Sequence, residues 1–231
     1  MTDGGARAAA ILLAAGAGKR LGAERPKALL PIGERTMLAV AAAGAAASPK
    51  IGAIVVAAPP GYEEEARSCV EGLPVPTTIL TGGRTRQASV RAALTALAAD
   101  AEIVVVHDAA RPFAPPDLFT DVIRAVEGGA DGAVPVIAVA DTVKRLDGVR
   151  VVDTVARNEL GLAQTPQAFR VQVLREAHDR AFTAEEKVTD DAMLLERTAT
   201  VVAVAGDPRN FKITTMLDLA RAEARMGGVR A

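Results

Sequence analysis

Short apolar runs alternate with longer amphipathic stretches from one end of this chain to the other. The runs at residues 9–14, 51–57, 77–80, 103–106, 132–137 and 200–205 carry no charged side chain. Strands buried on both faces read this way, because neither side of the pleat meets water. Amphipathic stretches at 37–47, 62–71, 86–99, 116–127, 171–182, 190–198 and 215–226 predict helices between them. Thr215 and Asp218, three apart, have the spacing of a capping box. The alternation predicts an α/β fold with a mostly parallel sheet and helices on both faces. A length of 231 residues fits one large domain, or one domain with an appendage.

One segment breaks the rhythm. Residues 142–152 read TVKRLDGVRVV, two β-rich runs around Asp147-Gly148, which is a two-residue hairpin signal. A lone hairpin is marginal in water. Lys144, Arg145 and Arg150 keep it from reading as core. It is either an edge hairpin of the same molecule or an arm that packs on a second subunit.

Composition removes several function classes. The formal net charge of −1 argues against general binding to nucleic acid or acidic membranes. One cysteine, Cys69, excludes an internal disulfide and a cysteine-based zinc site, and is expected to be a structural thiol. Two histidines about 70 residues apart make no zinc pair. No apolar run approaches the ~20 residues that span a bilayer. The apolar stretch at 8–15 follows Arg7, but Asp3 and the GAGKR sequence beyond it fit a buried first strand better than a signal peptide. A cytoplasmic protein is the expectation.

The first strand runs into Ala14-Ala15-Gly16-Ala17-Gly18-Lys19-Arg20-Leu21-Gly22. Glycines here let backbone N–H groups approach phosphate oxygens closely. A P-loop needs Ser or Thr after Gly-Lys, and Arg20 stands there. A dinucleotide-binding turn needs a helix at once and an acid some 20 residues on; Pro26 and Pro31 interrupt the one, and Thr36 stands near the place of the other. A nucleotidyltransferase loop ending in Pro26-Lys27 fits. Arg20 and Lys27 aimed at an α-phosphate would stabilise the charge that grows on it and on departing pyrophosphate. The competing view is a solvated surface pair.

The run at 103–106 ends in His107-Asp108-Ala109-Ala110-Arg111-Pro112. Ligands in open α/β sheets bind beyond the carboxyl ends of strands, so Asp108 is expected near the glycine-rich loop. There it could hold Mg²⁺ shared with phosphates, or simply cap a helix. Arg111 could meet a phosphate or pair with Asp108. Gly82-Gly83-Arg84-Thr85-Arg86-Gln87-Ala88-Ser89 allows a tight turn, and Ser89 could bond a base edge. Arg157 and the Gln164-Thr165-Pro166-Gln167 segment offer a guanidinium and a hydroxyl suited to a phosphomonoester. Lys212 precedes the last helix, and Asp190-Asp191 reads as a helix N-terminus.

Taken together, LLAAGAGKRLG…PKALLPI, GGRTRQASV, HDAARPF, TVARNELGLAQTPQAF, TDDA and NFKITT resemble the 2-C-methyl-D-erythritol 4-phosphate cytidylyltransferase family, in order and over nearly the whole chain. HDAAR with QTPQ is far more specific than any glycine loop. The resemblance implies a Rossmann-like mixed sheet with a projecting arm at 139–158 that joins a homodimer. It implies transfer of a cytidylyl group from CTP to methylerythritol 4-phosphate, with Mg²⁺ and release of pyrophosphate.

By position, Ala14, Ala15, Gly16 and Gly18 match the family's CTP loop. Arg20 and Lys27 match its transition-state stabilisers, and Gly83 and Ser89 its cytosine contacts. Asp108 matches the carboxylate near metal and substrate, while Arg111 and Thr142 match substrate-side positions. Arg157 matches the group that grips the sugar phosphate across the dimer, with Thr165 beside it, and Lys212 the lysine that positions that phosphate. Ala156 and Gly161 stand where the family often has proline and an aromatic, and Met216 where it commonly has proline. These departures touch loop stiffness, and no charged group is lost. Neighbouring alternatives are a ribitol-5-phosphate cytidylyltransferase, a non-catalytic nucleotide-binding module and a nicotinamide-dependent dehydrogenase.

Overall fold

The computed structural model describes residues 8–16 and 25–227. The strands are β1 (Ala8–Leu13), β2 (Pro31–Ile32), β3 (Arg35–Thr36), β4 (Ile51–Ala58), β5 (Thr77–Thr81), β6 (Ile103–Asp108), β7 (Gly132–Ala138), β8 (Val143–Asp147), β9 (Arg150–Val155), β10 (Gly161–Ala163), β11 (Gln167–Arg170) and β12 (Val201–Ala205). The helices are α1 (Met37–Ala46), α2 (Glu63–Cys69), α3 (Arg86–Thr95), α4 (Pro116–Glu127), α5 (Val171–Thr183) and α6 (Met216–Met226).

Eight strands form the main sheet, in the order β10-β7-β11-β6-β1-β4-β5, with β12 on β7. The β1–β4, β1–β6, β4–β5 and β7–β12 pairings are parallel. The expected mostly parallel sheet is therefore present, but with antiparallel insertions. β11 lies antiparallel between β6 and β7, and β10 pairs antiparallel with the far half of β7. Neither was expected from the sequence: they are three and four residues long, too short for an alternation to show.

The pleat of β1 sorts its apolar residues to two cores. Ala10 and Leu12 pack with Ile54, Val56 and Val105 against Leu38 of α1 and Phe119 and Ile123 of α4. Ala9 and Ile11 pack with Val55, Val104 and Val106 against Val90 of α3 and Leu174 of α5. Both faces are dry, which is why each strand reads as one unbroken apolar run. A smaller cluster of Ile32, Met37, Ile213 and Ala222 seats α6. The capping box of α6 is present between Thr215 and Asp218.

The helix expected over 190–198 is absent; only Ala192–Leu194 makes a single 3-10 turn. Asp191 is fully buried, ion-paired with Arg86 and hydrogen-bonded to His178, and the Asp190 carboxylate bonds Gln167 and the Met193 N–H. The bonds to Arg86, His178 and Gln167 are tertiary and displace a regular helix start, while the Met193 bond is local to the 3-10 turn. Cys69 is free and accepts a hydrogen bond from Thr36 Oγ1.

β8 and β9 form a separate two-stranded sheet, the expected arm. Its two turn residues are Gly148 and Val149, one position later than Asp147-Gly148, since Asp147 pairs with Arg150. Gly148 has φ +57° at the first turn position, where glycine is favoured. Leu146, Val149, Val151 and Val152 of the arm are exposed.

Candidate active site

Parallel pairing brings four strand ends to one edge. Leu13 pairs with Ala57 and with Asp108, and Ala58 pairs with Thr81. The ladder continues one residue further: Ala14 N–H donates to Ala57 O, Gly82 N–H to Ala58 O and Ala109 N–H to Leu13 O. The segments leaving these strands wall an open cleft of about 240 Å³, lined among others by Ala14, Ala15, Gly16, Lys27, Gly83, Ser89, Asp108 and Lys212.

One wall is the turn after β5. A Cβ on Gly82 would lie 2.4 Å from Ala15 Cβ, and one on Gly83 2.4 Å from Ala88 Cβ. Only glycine allows the two loops to touch. Ser89 is buried beneath this turn. Its hydroxyl accepts from Gly83 N–H at 3.0 Å and donates to Thr85 O at 3.0 Å. It thus fixes the Gly83 backbone. Thr85 caps α3, accepting from Ala88 N–H, so the positive end of α3 faces the cleft.

Two lysines from other segments also line the cleft. Lys27 opens a 3-10 turn anchored by buried Ala28 and Leu29, and its Nζ donates to Ile213 O at 2.9 Å. Ile213 is itself buried, and its N–H donates to Ala110 O at 2.8 Å. Those bonds place the preceding residue, Lys212, in the cleft. Lys212 Nζ meets Asp108 Oδ2 at 2.6 Å, and Arg86 Nε donates to Asp108 Oδ1 at 3.3 Å. Burial would raise the Asp108 carboxyl, but Arg86 and Lys212 override it and hold the group well below the usual carboxylate range.

Beneath Asp108 the polar groups form a directed row. Asp108 N–H donates to Thr165 Oγ1 at 3.0 Å, and Thr165 Oγ1 meets His107 Nδ1 at 3.1 Å. His107 Nε2 meets Arg111 O at 3.0 Å. A carbonyl only accepts, so Nε2 carries the proton and Nδ1 takes the Thr165 hydroxyl hydrogen. Burial pushes the His107 imidazole down to about 4, and it does not line the cleft. Arg111 also lies beside the cleft and not in its lining, donating to Asn210 O and Ala163 O.

The remaining expected residues lie apart. Thr142 is exposed just before β8. Arg157 is exposed in a 3-10 turn at the foot of the arm, where its guanidinium bonds Ala140 O. Neither lines the cleft. Gly18 and Arg20 lie outside the described residues.

From the sequence, Arg86, Asp191, His178 and Asn210 carried no site role. Asn210 is fully buried; it donates to Thr165 O at 2.8 Å and ties the Lys212 loop to the Thr165 loop. Partners 13 to 105 positions apart leave no local pattern.

Known proteins resemble this chain in sequence and in fold. The family model IspD, described as 2-C-methyl-D-erythritol 4-phosphate cytidylyltransferase, matches residues 8–228. A protein of that name from Saccharopolyspora erythraea is 44% identical over 220 residues, covering 93% of this chain and 97% of its own. Its namesake from Rhodococcus opacus is 43% identical, covering 97% of each chain. The crystal structure of the Thermus thermophilus protein of the same name superposes with a TM-score of 0.79 at 35% identity, covering 95% of this chain and 99% of that one. The 4-diphosphocytidyl-2C-methyl-D-erythritol synthase of Anaerococcus prevotii gives a TM-score of 0.85 at 29% identity, covering 96% and 99%. With the glycine-walled cleft, its two lysines and its buried carboxylate on the same chain as that match, the protein belongs to the 2-C-methyl-D-erythritol 4-phosphate cytidylyltransferase family.

Proposed function

We propose that this chain transfers the cytidylyl group of CTP to 2-C-methyl-D-erythritol 4-phosphate, giving 4-diphosphocytidyl-2-C-methyl-D-erythritol and pyrophosphate. The observation that carries the reading is the convergence of Lys27 and Lys212 on a cleft floored by Asp108 and walled by Ala14, Ala15, Gly16 and Gly83. A substrate phosphate oxygen forms a bond to the α-phosphorus, and the bond from that phosphorus to the bridging oxygen breaks. Pyrophosphate leaves with the electron pair. A phosphomonoester has its second pKa near ~6, so the nucleophile is already anionic and needs no general base. His107, neutral and tied to Thr165 and Arg111, fits a site without one.

Catalysis then rests on position and charge. Lys27, with Arg20, stabilises charge at the α-phosphate. Ala14, Ala15, Gly16 and Gly18 cradle the triphosphate, and Gly83, held by Ser89, forms the close wall for the pyrimidine. Lys212 holds the sugar phosphate after releasing Asp108. Thr165 holds the Asp108 backbone, and Arg111 ties the substrate-side loops together.

Asp108 would hold a divalent cation such as Mg²⁺. Its hard carboxylate oxygens suit the ion, which commonly uses one or two carboxylates and takes the rest of its shell from phosphates and water. Among the described residues no group of three or more ligating side chains converges. When bound, such an ion neutralises triphosphate charge.

The chain acts as one domain whose arm, 139–158, joins a cytoplasmic homodimer. An isolated two-stranded sheet is marginal in water, yet this one exposes Leu146, Val151 and Val152. A second copy covers those side chains and receives Arg157 and Thr142 at its own cleft. No helix among the described residues is long and apolar enough to cross a membrane.

The deciding assay is pyrophosphate release. CTP with methylerythritol 4-phosphate should support it, and ATP, GTP and UTP should not. Preferred use of ribitol 5-phosphate would replace the acceptor; CTP binding without turnover would replace the enzyme with a binding module.

A further inference from the structure

Two cations hold Asp108, and they are built differently. Lys212 sits on a loop with its side chain 39% exposed. Arg86 begins α3 and reaches inward: its Nη1 donates to Asp191 Oδ2 at 2.6 Å. Asp191 is fully buried, and its other oxygen accepts from His178 Nε2 at 3.0 Å. His178, on α5, is buried too. The result is one row, Asp108–Arg86–Asp191–His178, running from the cleft into the core. Neither Asp191 nor His178 lines the cleft. Burying the Arg86 and Asp191 charges is costly unless each finds its partner, and apolar packing would avoid that cost.

We propose that Asp191 and His178 are positioning residues that hold Arg86, and through it Asp108, in place while Lys212 turns to a phosphate. The inference rests on the cytidylyl-transfer reading, which gives Lys212 a phosphate to meet. When Lys212 leaves, Arg86 stays on the carboxylate. An arginine fixed at one end only has a long flexible side chain and a triphosphate close by. Asp191 fixes the other edge of the guanidinium and offsets its charge, so Arg86 remains on Asp108. His178 in turn fixes Asp191 by filling its second oxygen.

Asp191→Asn removes the charge at constant size. It should lower kcat about tenfold or more at saturating CTP, with KM for CTP changed less than about threefold. In an Asp108→Asn background the same substitution should add less than about twofold, because its effect runs through Asp108. A full, multiplicative loss there would assign Asp191 a merely structural role and overturn the proposal. Should Asp191→Asn fail to fold, the His178 pair decides. His178→Gln keeps a donor for Asp191 and should restore most of the rate lost in His178→Leu; equal rates in both would sink the idea.

An activity-free readout separates the two readings. The Arg86 Nε–Hε nitrogen-15 NMR signal, protected in the wild type, should be lost in Asp191→Asn and in His178→Leu and kept in His178→Gln. A wild type that releases no pyrophosphate, with that pattern intact, overturns the cytidylyl-transfer reading and leaves the row as the holder of Asp108. An active wild type whose Asp191→Asn variant keeps kcat within about twofold overturns the row's role.

Discussion

Gly82 is the position where one added carbon should tell most. A Cβ there would lie 2.4 Å from Ala15 Cβ, 3.0 Å from Ala58 O and 3.2 Å from Ser89 Oγ. The backbone itself accepts alanine, since Gly82 is not among the positive-φ residues. The cost is therefore steric. Ala58 O cannot give way, because it lies on a central strand and accepts the Gly82 N–H. Ser89 Oγ is held from two sides, by Gly83 N–H and Thr85 O. The loop of Ala15 and Gly16 must move, by about 1 Å, before carbon meets carbon at an ordinary distance. Overpacking of this kind costs roughly 1–3 kcal/mol, which at this chain length lowers Tm by roughly 2–12 °C. A shift of about 1 Å in a positioned wall can cost up to ~100-fold in rate. Gly82→Ala should therefore raise KM for CTP about tenfold or more, read by steady-state pyrophosphate release and by calorimetric titration with CTP. Gly16→Ala is the control: among the described residues a Cβ there meets nothing within 4 Å, so Tm of the ligand-free protein should not move. Wild-type Tm and CTP affinity in Gly82→Ala would show that the two loops are not pressed together as described.

Three further outcomes are expected. Lys27→Ala and Arg20→Ala should each lower kcat by about 100-fold while weakening CTP binding far less; single-turnover kinetics with unchanged chemistry would contradict this. His107 titrates at about 4 in the fold, against ~6.5 unfolded. Between those values the unfolded chain binds more protons, so stability falls as pH drops through that window, by up to about 3 kcal/mol. Urea melts from pH 7 to 5 should be flatter for His107→Gln than for the wild type, and equal slopes would assign the loss elsewhere. Asp218→Ala removes the acceptor of the Thr214 and Thr215 N–H groups at 2.8 Å. It should cost about 1–2 kcal/mol in thermal unfolding with little change in kcat, and no loss of Tm would mean that the α6 cap contributes nothing.

The sequence by itself determined the layers. Residues 51–57 and 103–106 are apolar throughout because both faces of their strands are covered, and a pattern of that length survives without knowledge of any neighbour. The arm was legible in its β-rich runs, though its turn fell one residue later, because register is set by pairing across the hairpin. Glycine 82 and 83, Lys27, Asp108 and Lys212 stood out locally, as a turn, a Pro-Lys, a strand end and a lone lysine. The strand end already put Asp108 near the glycine-rich loop, but only the tertiary structure brought Gly83, Lys27 and Lys212 to the same cleft, where parallel register sets Asp108 beside Leu13. It alone also decided that residues 190–198 do not form a helix. Buried carboxylates go where their cations are, and the cation for Asp191 comes from Arg86, 105 positions earlier. Local propensity is written in neighbouring residues, whereas the matching of buried charge depends on distances that exist only after the chain has folded.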